Sequence, residues 1–317
     1  MITADVIIVG GGPAGSTCAW TLRQAGIETI ILDKQDFPRP KPCAGWITPR
    51  VVRNLQLEVS SYPHSFVRLE RLHFHRSGRR FALPTRQYSI HRYEFDNWLL
   101  ERAGVPVCHQ TVRQIRKEAG SYVLDDAYRC TYLVGAGGTH CPVYRTIFSD
   151  VNPRRAGSHI TAVEVELKSD PENRGCHLWF SERDLQGYSW YVPKGNGYLN
   201  VGVGGRSATM EARGETIRDH WDHLVRKLAD LSFVNIDTLQ PNGHTYYLRH
   251  DIRTVQRDNA FIIGDAAGLA TKDLGEGIGP AVESGIRAAR AIIHRTEYSV
   301  KSISKYSLPD LVLPWRL

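Results

Sequence analysis

Apolar and polar positions change period several times along this chain. Asp5 to Val9 and Glu28 to Leu32 are apolar runs of β type, and Ala14 to Ala25 between them carries apolar residues at helical spacing. Short apolar runs bounded by turn residues predict strands and a 3.6-residue period predicts a helix. The opening is therefore expected to form a complete βαβ unit. Phe37-Pro38-Arg39-Pro40-Lys41-Pro42 follows, where proline forbids helix and keeps the backbone extended and stiff.

His91 to Ala103 predicts a helix with Phe95, Trp98 and Leu99 on one face, and Thr131 to Val134 a short strand running into Gly135-Ala136-Gly137-Gly138. From Ser158 to Gly205 the period becomes two, in Ala162 to Leu167 and again in Tyr198 to Val203, which predicts a separate antiparallel sheet. Helical spacing returns over Met210 to Leu228. Ala260 to Ile263 then reads as a strand, Gly264 to Gly279 as a glycine-rich loop, and Pro280 to Ile293 as a helix opened by proline.

Two turns on this frame carry chemistry. Gly10-Gly11-Gly12-Pro13-Ala14-Gly15 satisfies G-x-G-x-x-G between a strand and a helix, where a turn without side chains lets backbone amides approach a pyrophosphate. Asp33 closes the second strand 18 residues after Gly15, where a carboxylate meets ribose hydroxyls. This turn alone does not separate FAD from NAD. The second turn, Gly264-Asp265-Ala266-Ala267-Gly268, places another acid after an apolar strand, where a ribityl chain offers hydroxyls. Gly275-Glu276-Gly277-Ile278-Gly279 then opens a helix, whose amides and dipole favour negative charge on a reduced isoalloxazine. Together they favour FAD.

The 317 residues and their ordinary apolar fraction suffice for one large domain or two packed ones. No apolar run approaches the roughly 20 residues that cross a bilayer, and we expect a soluble, cytoplasmic protein. The net charge of +7 suits an anionic ligand or a peripheral contact with an anionic membrane. Its basic residues are scattered, and clusters such as Arg76 to Arg80 and Arg154-Arg155 read as solvated turns, so no nucleic-acid partner is expected. Six cysteines show no C-x-x-C pairing and no metal-like spacing with histidine, which fits a reducing compartment and no metal site.

With Lys41-Pro42-Cys43-Ala44-Gly45, Arg92 with Phe95-Asp96, and Tyr188-Ser189-Trp190-Tyr191-Val192-Pro193-Lys194 added to the two turns, the chain resembles the geranylgeranyl reductase-like branch of flavoproteins related to p-hydroxybenzoate hydroxylase. The resemblance implies a Rossmann-like FAD-binding domain (residues 1–60, 90–157 and 250–297). Inserted in it is a mainly antiparallel substrate domain (61–89 and 158–249), and residues 298–317 form a tail. It implies that Gly10, Gly12, Ala14, Gly15 and Asp33 hold the adenosine half, with Arg92 near the pyrophosphate and Val112 touching adenine through its backbone. Cys43, Ala44 and Gly45 would run beside the isoalloxazine. Gly264 and Asp265 would bind the ribityl chain, and Gly277 with Ile278 the ring. Gly137 departs from the D-G turn usual in the related hydroxylases.

Arg92 at a helix start is explained by an anionic ligand or by a surface salt bridge. Cys43 is reactive only where a cation such as Lys41 favours its thiolate, and otherwise is an inert thiol. Tyr188, Trp190 and Pro193 either line an apolar substrate cavity or belong to a buried sheet face. The same stretch is similar to the W-x-W-x-I-P signature of flavin-dependent halogenases, with Tyr188 and Val192 replacing Trp and Ile. The leading expectation is reduction of a carbon–carbon double bond in an isoprenoid or other apolar small molecule by hydride from flavin N5, with Cys43 and Tyr188 as candidate proton donors. No second nucleotide-type unit is visible, so electrons would come from transiently bound NAD(P)H or a donor protein. The alternatives are an aromatic monooxygenase or halogenase, and a flavin-binding sensor or carrier without turnover.

Overall fold

The computed structural model describes residues 1–154, 157–169, 174–234, 236 and 239–312; Arg155 of the Arg154-Arg155 pair and the end of the tail lie outside them. The chain opens with strand β1 (Ile2–Val9), helix α1 (Pro13–Gln24) and strand β2 (Thr29–Asp33). Strands β3 (Arg71–Arg76) and β4 (Arg79–Pro84) come next, then helix α2 (Arg92–Ala103) and strands β5 (Val107–His109) and β6 (Tyr128–Gly135). Four long strands follow: β7 (His159–Lys168), β8 (Cys176–Phe180), β9 (Gly187–Pro193) and β10 (Tyr198–Arg206). Helix α3 (Ile217–Asp230), strands β11 (Asn242–Tyr247) and β12 (Ala260–Ile262) and helix α4 (Ile278–His294) complete the main elements.

These elements form two compact units. The first comprises Met1–Arg39, Tyr93–Arg154 and Tyr247–Tyr306. Five strands of its sheet run in the order β12-β6-β1-β2-β5, all parallel, and the segments Ile115–Glu118, Ser121–Leu124 and Gln256–Arg257 extend it by antiparallel pairing. β1, whose Val6, Ile7 and Ile8 are buried, pairs with β2 on one side and β6 on the other. Doubly wound sheets bind ligands at the carboxyl ends of their strands where the order reverses, and the Gly10 turn lies at that end of β1.

The second unit comprises Pro40–Arg92, Arg155–Tyr246 and Ser307–Leu317. Its main sheet has the order β11-β7-β10-β9-β8-β3-β4, with β7 to β8 antiparallel, β8 parallel to β3, and β3 antiparallel to β4. Val163, Val165, Tyr191, Leu199, Val201 and Val203 pack with Trp221, Leu224 and Leu228 of α3. Residues 40–60, read from the sequence with the nucleotide-binding part, belong to this unit, because Trp46 and Ile47 pair with Ser89 and Tyr88 in a small separate sheet. The presumed tail is also divided. Tyr298, Val300 and Ile303 are buried in the core of the first unit, whereas Asp310 belongs to the second, where its carbonyl accepts from Gln87 Nε2 at 3.2 Å. Among the described residues no helix is long and apolar enough to cross a membrane.

Beside α3's packing face, His75 Nε2 and His177 Nδ1 lie 3.0 Å apart, and the His177 ring stacks near Trp179 and meets Phe233 edge-on. Burial, reinforced by His73, His75 and Arg80, pushes the His177 pKa down from 6.5 to about 3. The folded protein therefore holds this imidazole neutral while the unfolded chain takes up a proton below pH 6.5. The stability that His177 contributes above that pH should be lost as pH falls toward 3, by at most about 1.4 kcal/mol per pH unit for this one group, with His75, lowered to about 4, adding to the slope. Urea titrations over this range should show the slope, and His177→Gln should flatten it; an unchanged slope would contradict the assignment.

Candidate functional site

The Gly10 turn is built by contacts that exclude side chains. Gly10 has φ +114°, and a Cβ on Gly15 would lie 1.9 Å from the Gly10 carbonyl oxygen, so α1 rests directly on the turn. Gly12 is different: its Cβ would meet nothing nearer than Arg39 Nη2 at 3.7 Å. No side chain caps α1 there, its first turn has no acid, and Pro13 contributes no N–H. An uncapped helix start carries partial positive charge and free amides. Arg39 stacks on Phe37 at 4.6 Å, and its Nε is buried without a hydrogen-bond partner among the described residues. An anion over Gly12 would satisfy both features.

Asp33 is buried at the end of β2. Its Oδ2 accepts from the Gly11 amide at 2.7 Å and its Oδ1 from the Gln35 amide at 2.9 Å. A carboxylate has about four acceptor sites, so two remain for ribose hydroxyls. The Asp33 carbonyl accepts from Gln110 N at 2.7 Å, which brings the segment leading to buried Val112 alongside.

The second turn reaches the first through α1 and α4. A Cβ on Gly285 of α4 would lie 2.4 Å from the Ala14 carbonyl oxygen, and one on Gly264 would lie 3.0 Å from Ala14 Cβ. Ser284 Oγ accepts the Gly264 amide at 2.9 Å. Asp265 Oδ1 lies 3.5 Å from where a Gly277 Cβ would sit, so the acid faces the start of α4 at Gly277 and Ile278. One expectation changes here: Glu276 Oε1 accepts the Gly279 amide at 2.5 Å. A carboxylate thus offsets part of the positive helix end expected to stabilise a reduced flavin.

Cys43, Ala44, Gly45 and Arg92 belong to the second unit. The cation expected beside Cys43 was Lys41, but Lys41 Nζ instead contacts His244 Nε2 at 2.6 Å. Lys194 lies closer to this segment. Its side chain is fully buried, and Nζ donates to the Ala44 carbonyl at 2.6 Å and the Ile90 carbonyl at 2.5 Å. Cys43 Sγ accepts from the Gly45 amide at 3.3 Å. Arg92, at the start of α2, is buried.

Tyr188 and Trp190 share one face of β9, with ring centroids 5.9 Å apart. Pro193 does not join them. It lies three residues beyond Trp190, an odd step that turns it to the opposite face, in register with Leu199 of the α3-packed core. Gly202 explains how Trp190 lies against β10, since a Cβ there would meet the indole at 2.2 Å. Trp190 Nε1 donates to Asn200 Oδ1 at 2.7 Å. Asn200 also hydrogen-bonds Glu164 and lies 3.4 Å from the Cys43 carbonyl and Glu166 Oε2. Glu166 Oε1 pairs with His91 Nδ1 at 2.6 Å.

Burial raises the Glu164 pKa from 4.5 to about 7 against hydrogen bonds from Asn200 and the Cys43 backbone. For Glu166 burial also pushes upward, but the His91 hydrogen bond and the Lys194 charge outweigh it and the pKa falls below the ordinary value. Sequence pattern alone missed Glu164, Glu166, Asn200, Lys194 and Arg39 as site candidates. The two glutamates form the polar half of an alternating strand, which looks the same whether that face meets water or a buried network.

The parallel-sheet unit and its two linked turns define an FAD-dependent oxidoreductase, and residues 3–58 match the FAD binding domain family. An uncharacterized protein of Methanosarcina barkeri is 32% identical, with 91% of this chain and 74% of that protein covered. The menaquinone reductase of Mycobacterium tuberculosis is 28% identical (92% and 77% covered). Digeranylgeranylglycerophospholipid reductase 1 of Methanopyrus kandleri is 27% identical (95% and 83% covered). Among solved structures, a geranylgeranyl bacteriochlorophyll reductase-like protein of Thermoplasma acidophilum superposes with TM-score 0.79 at 21% identity, covering 93% of this chain and 79% of that one. The flavin-dependent brominase Bmp2 reaches 0.73, also at 21% identity (92% and 79% covered). Likeness at such identities shows the fold alone. Within the class, the chain belongs to the geranylgeranyl reductase-like family of FAD-dependent oxidoreductases.

Two outcomes follow from this geometry. With flavin removed from both, Gly12→Ala should match the stability of wild type within about 0.5 kcal/mol yet fail to bind flavin, whereas Gly15→Ala should be destabilised outright. Flavin absorbance and thermal unfolding together check this, and full flavin occupancy in Gly12→Ala would contradict the anion site. Because the Glu164 pKa is raised in the folded state, the unfolded chain loses that proton first and stability declines as pH rises from 4.5 to 7. Glu164→Gln should therefore gain stability relative to wild type across that window, as read by denaturant unfolding.

Proposed function

We propose that this enzyme reduces carbon–carbon double bonds of an isoprenoid or similarly apolar small molecule, with the parallel-sheet unit holding FAD and the antiparallel unit presenting the substrate. What supports the substrate class is a row of five aromatic rings on one sheet face. Phe81 stacks on Phe74 at 5.1 Å, Phe74 on Phe180 at 6.0 Å, and Phe180 meets Tyr188 at 5.2 Å, before Trp190. The row crosses β4, β3, β8 and β9, about 15 Å at the usual spacing between strands. Phe74 and Trp190 are buried while Phe180 and Tyr188 are half-buried and Phe81 is exposed; an apolar row of that extent suits a long unsaturated chain and offers few partners to a polar substrate.

In this reading the Gly10, Gly12, Ala14 and Gly15 turn receives the pyrophosphate, with Arg39 and Arg92 as cations, while Asp33 meets the adenosine ribose and the backbone at Val112 the adenine. Asp265, after Gly264, meets the ribityl hydroxyls. Cys43, Ala44, Gly45, Gly277 and Ile278 border the ring. Bound FAD supplies a hydride from N5. The protein orients the alkene on Tyr188 and Trp190, excludes water, and supplies a proton from the Tyr188 hydroxyl or the Cys43 thiol. Reducing equivalents come from NAD(P)H bound transiently or from a donor protein. The basic surface and an apolar substrate are consistent with peripheral contact at a membrane.

The brominase likeness keeps an oxygen-dependent reaction as the second reading, although Tyr188 replaces the first Trp of the halogenase signature. The decisive experiment mixes anaerobically reduced holoenzyme with geranylgeranyl diphosphate or menaquinone. Flavin absorbance should return without oxygen, with two hydrogens added to a double bond of the probe's isoprenoid chain. Tyr188→Phe or Cys43→Ala should slow this step by about 100-fold if that residue is the proton donor. Turnover that requires oxygen and yields a hydroxylated or halogenated product would overturn the reductase reading.

A further inference from the structure

The side chain of Asn200 is fully buried on β10, on the same sheet face as Trp190. Its surroundings fix the orientation of its amide. The Trp190 indole N–H can only donate, so Oδ1 faces it at 2.7 Å. On the other side lie the Glu166 carboxylate and the Cys43 carbonyl, which only accept, and the Glu164 carboxyl, so Nδ2 faces them. Asparagine offers an acceptor and a donor group in one rigid plane. Aspartate would set a third carboxylate against two others, and serine could not reach both partners.

Stability alone does not call for this arrangement. Replacing buried charged or polar groups by packed apolar ones is often neutral or stabilising, and Gly202 already lets Trp190 lie flat on β10. A fully satisfied buried network does define one arrangement of its members. Here the members are the carbonyl of Cys43 and the indole of Trp190, far apart in the chain and joined through one side chain.

We propose that Asn200 is a positioning residue that ties the Cys43 backbone to the Trp190 indole, so that the segment bordering the cofactor and the wall bordering the substrate are held as one piece. The inference rests on the roles given above to Cys43 and Trp190. Lys194 supports the same segment one residue later through the Ala44 carbonyl, and Glu164 with Glu166 keeps the amide from flipping.

Two readouts on FAD-loaded enzyme test it. In a double-mutant cycle of Asn200→Leu and Trp190→Phe, reduced enzyme is mixed anaerobically with geranylgeranyl diphosphate or menaquinone. Asn200→Leu should retain flavin and slow reoxidation at saturating probe by about 100-fold, the scale expected for a misplacement of about 1 Å, with little change in KM. The double variant should be no slower than the slower single, because both break the same link. Wild-type rates in Asn200→Leu, or additive effects in the cycle, would overturn the proposal. If Asn200→Leu does not accumulate as folded protein, Asn200→Ser is read in the same way.

The second readout needs no substrate. Loss of one buried hydrogen bond, about 1.4 kcal/mol, should make Cys43 react with iodoacetamide about tenfold faster than in wild type, as located by peptide mass. Equal rates would overturn the tether. If wild-type enzyme is reoxidised by neither probe, the reductase reading fails while the alkylation comparison still decides the role of Asn200.

Discussion

The approach of α4 to α1 at the Ala14 carbonyl is the contact on which the parallel-sheet unit depends. A methyl group at position 285 would lie 2.4 Å from that oxygen, so the two backbones touch as only glycine permits. This distance puts Gly264, and with it Asp265, against the first turn of α1. The same turn rests on Gly10 through Gly15. Two segments some 250 residues apart in the sequence thereby line one region of one unit, with Asp33 and Asp265 attached to strands that share a sheet. A single bulky substitution at either contact would separate the turns before it touched any ligand.

This constraint also explains which parts of the molecule could be read from the chain. Glycine at 10 and 15 carries direct information, because close backbone approach leaves no alternative residue, and the turn was legible together with its flanking strands. The antiparallel sheet was legible from its period of two. The role of its polar half was not: Glu164 and Glu166 alternate with Val163 and Val165 as they would on a wet surface, and only their partners, Asn200, Lys194 and His91, distant in sequence, show that Glu164 is buried and Glu166 is paired. Lys41 was paired with Cys43 by proximity along the chain, whereas the fold sends it to His244 and brings in Lys194. Pro193 fell to the wrong face because a motif was read as a group and the strand counts residues by twos. The short pairing of Trp46 and Ile47 with Tyr88 and Ser89, which draws residues 40–60 into the second unit, has too few residues to leave a periodic signal.

The two units solve different problems. In the first, glycine removes side chains so that backbone amides and an uncapped helix end remain available to an anion. In the second, ionisable side chains are brought inside and satisfied one by one, Lys194 by two carbonyls and Glu164 by Asn200, with the more exposed Glu166 paired to His91. Lys194 illustrates the cost. Burial lowers its pKa while the carboxylates of Glu166 and Glu164 raise it again, and its two carbonyl partners are those of Ala44 and Ile90, flanking the Gly45–Ile90 backbone hydrogen bond of 2.8 Å. The charge is spent on holding a loop in place.

That distinction bears on how an apolar substrate could be handled with selectivity. Aromatic rings from Phe81 to Trp190 provide contact area without direction, and a long hydrocarbon can slide along such a surface because every position is nearly equivalent. Register has to come from elsewhere. At the polar end of the row the position of an aromatic ring is fixed by a directional bond, since the Trp190 indole donates to Asn200, whose amide also faces the Cys43 carbonyl. Under the proposed function, apolar contacts would retain a hydrocarbon chain and the hydrogen-bonded end would set its register.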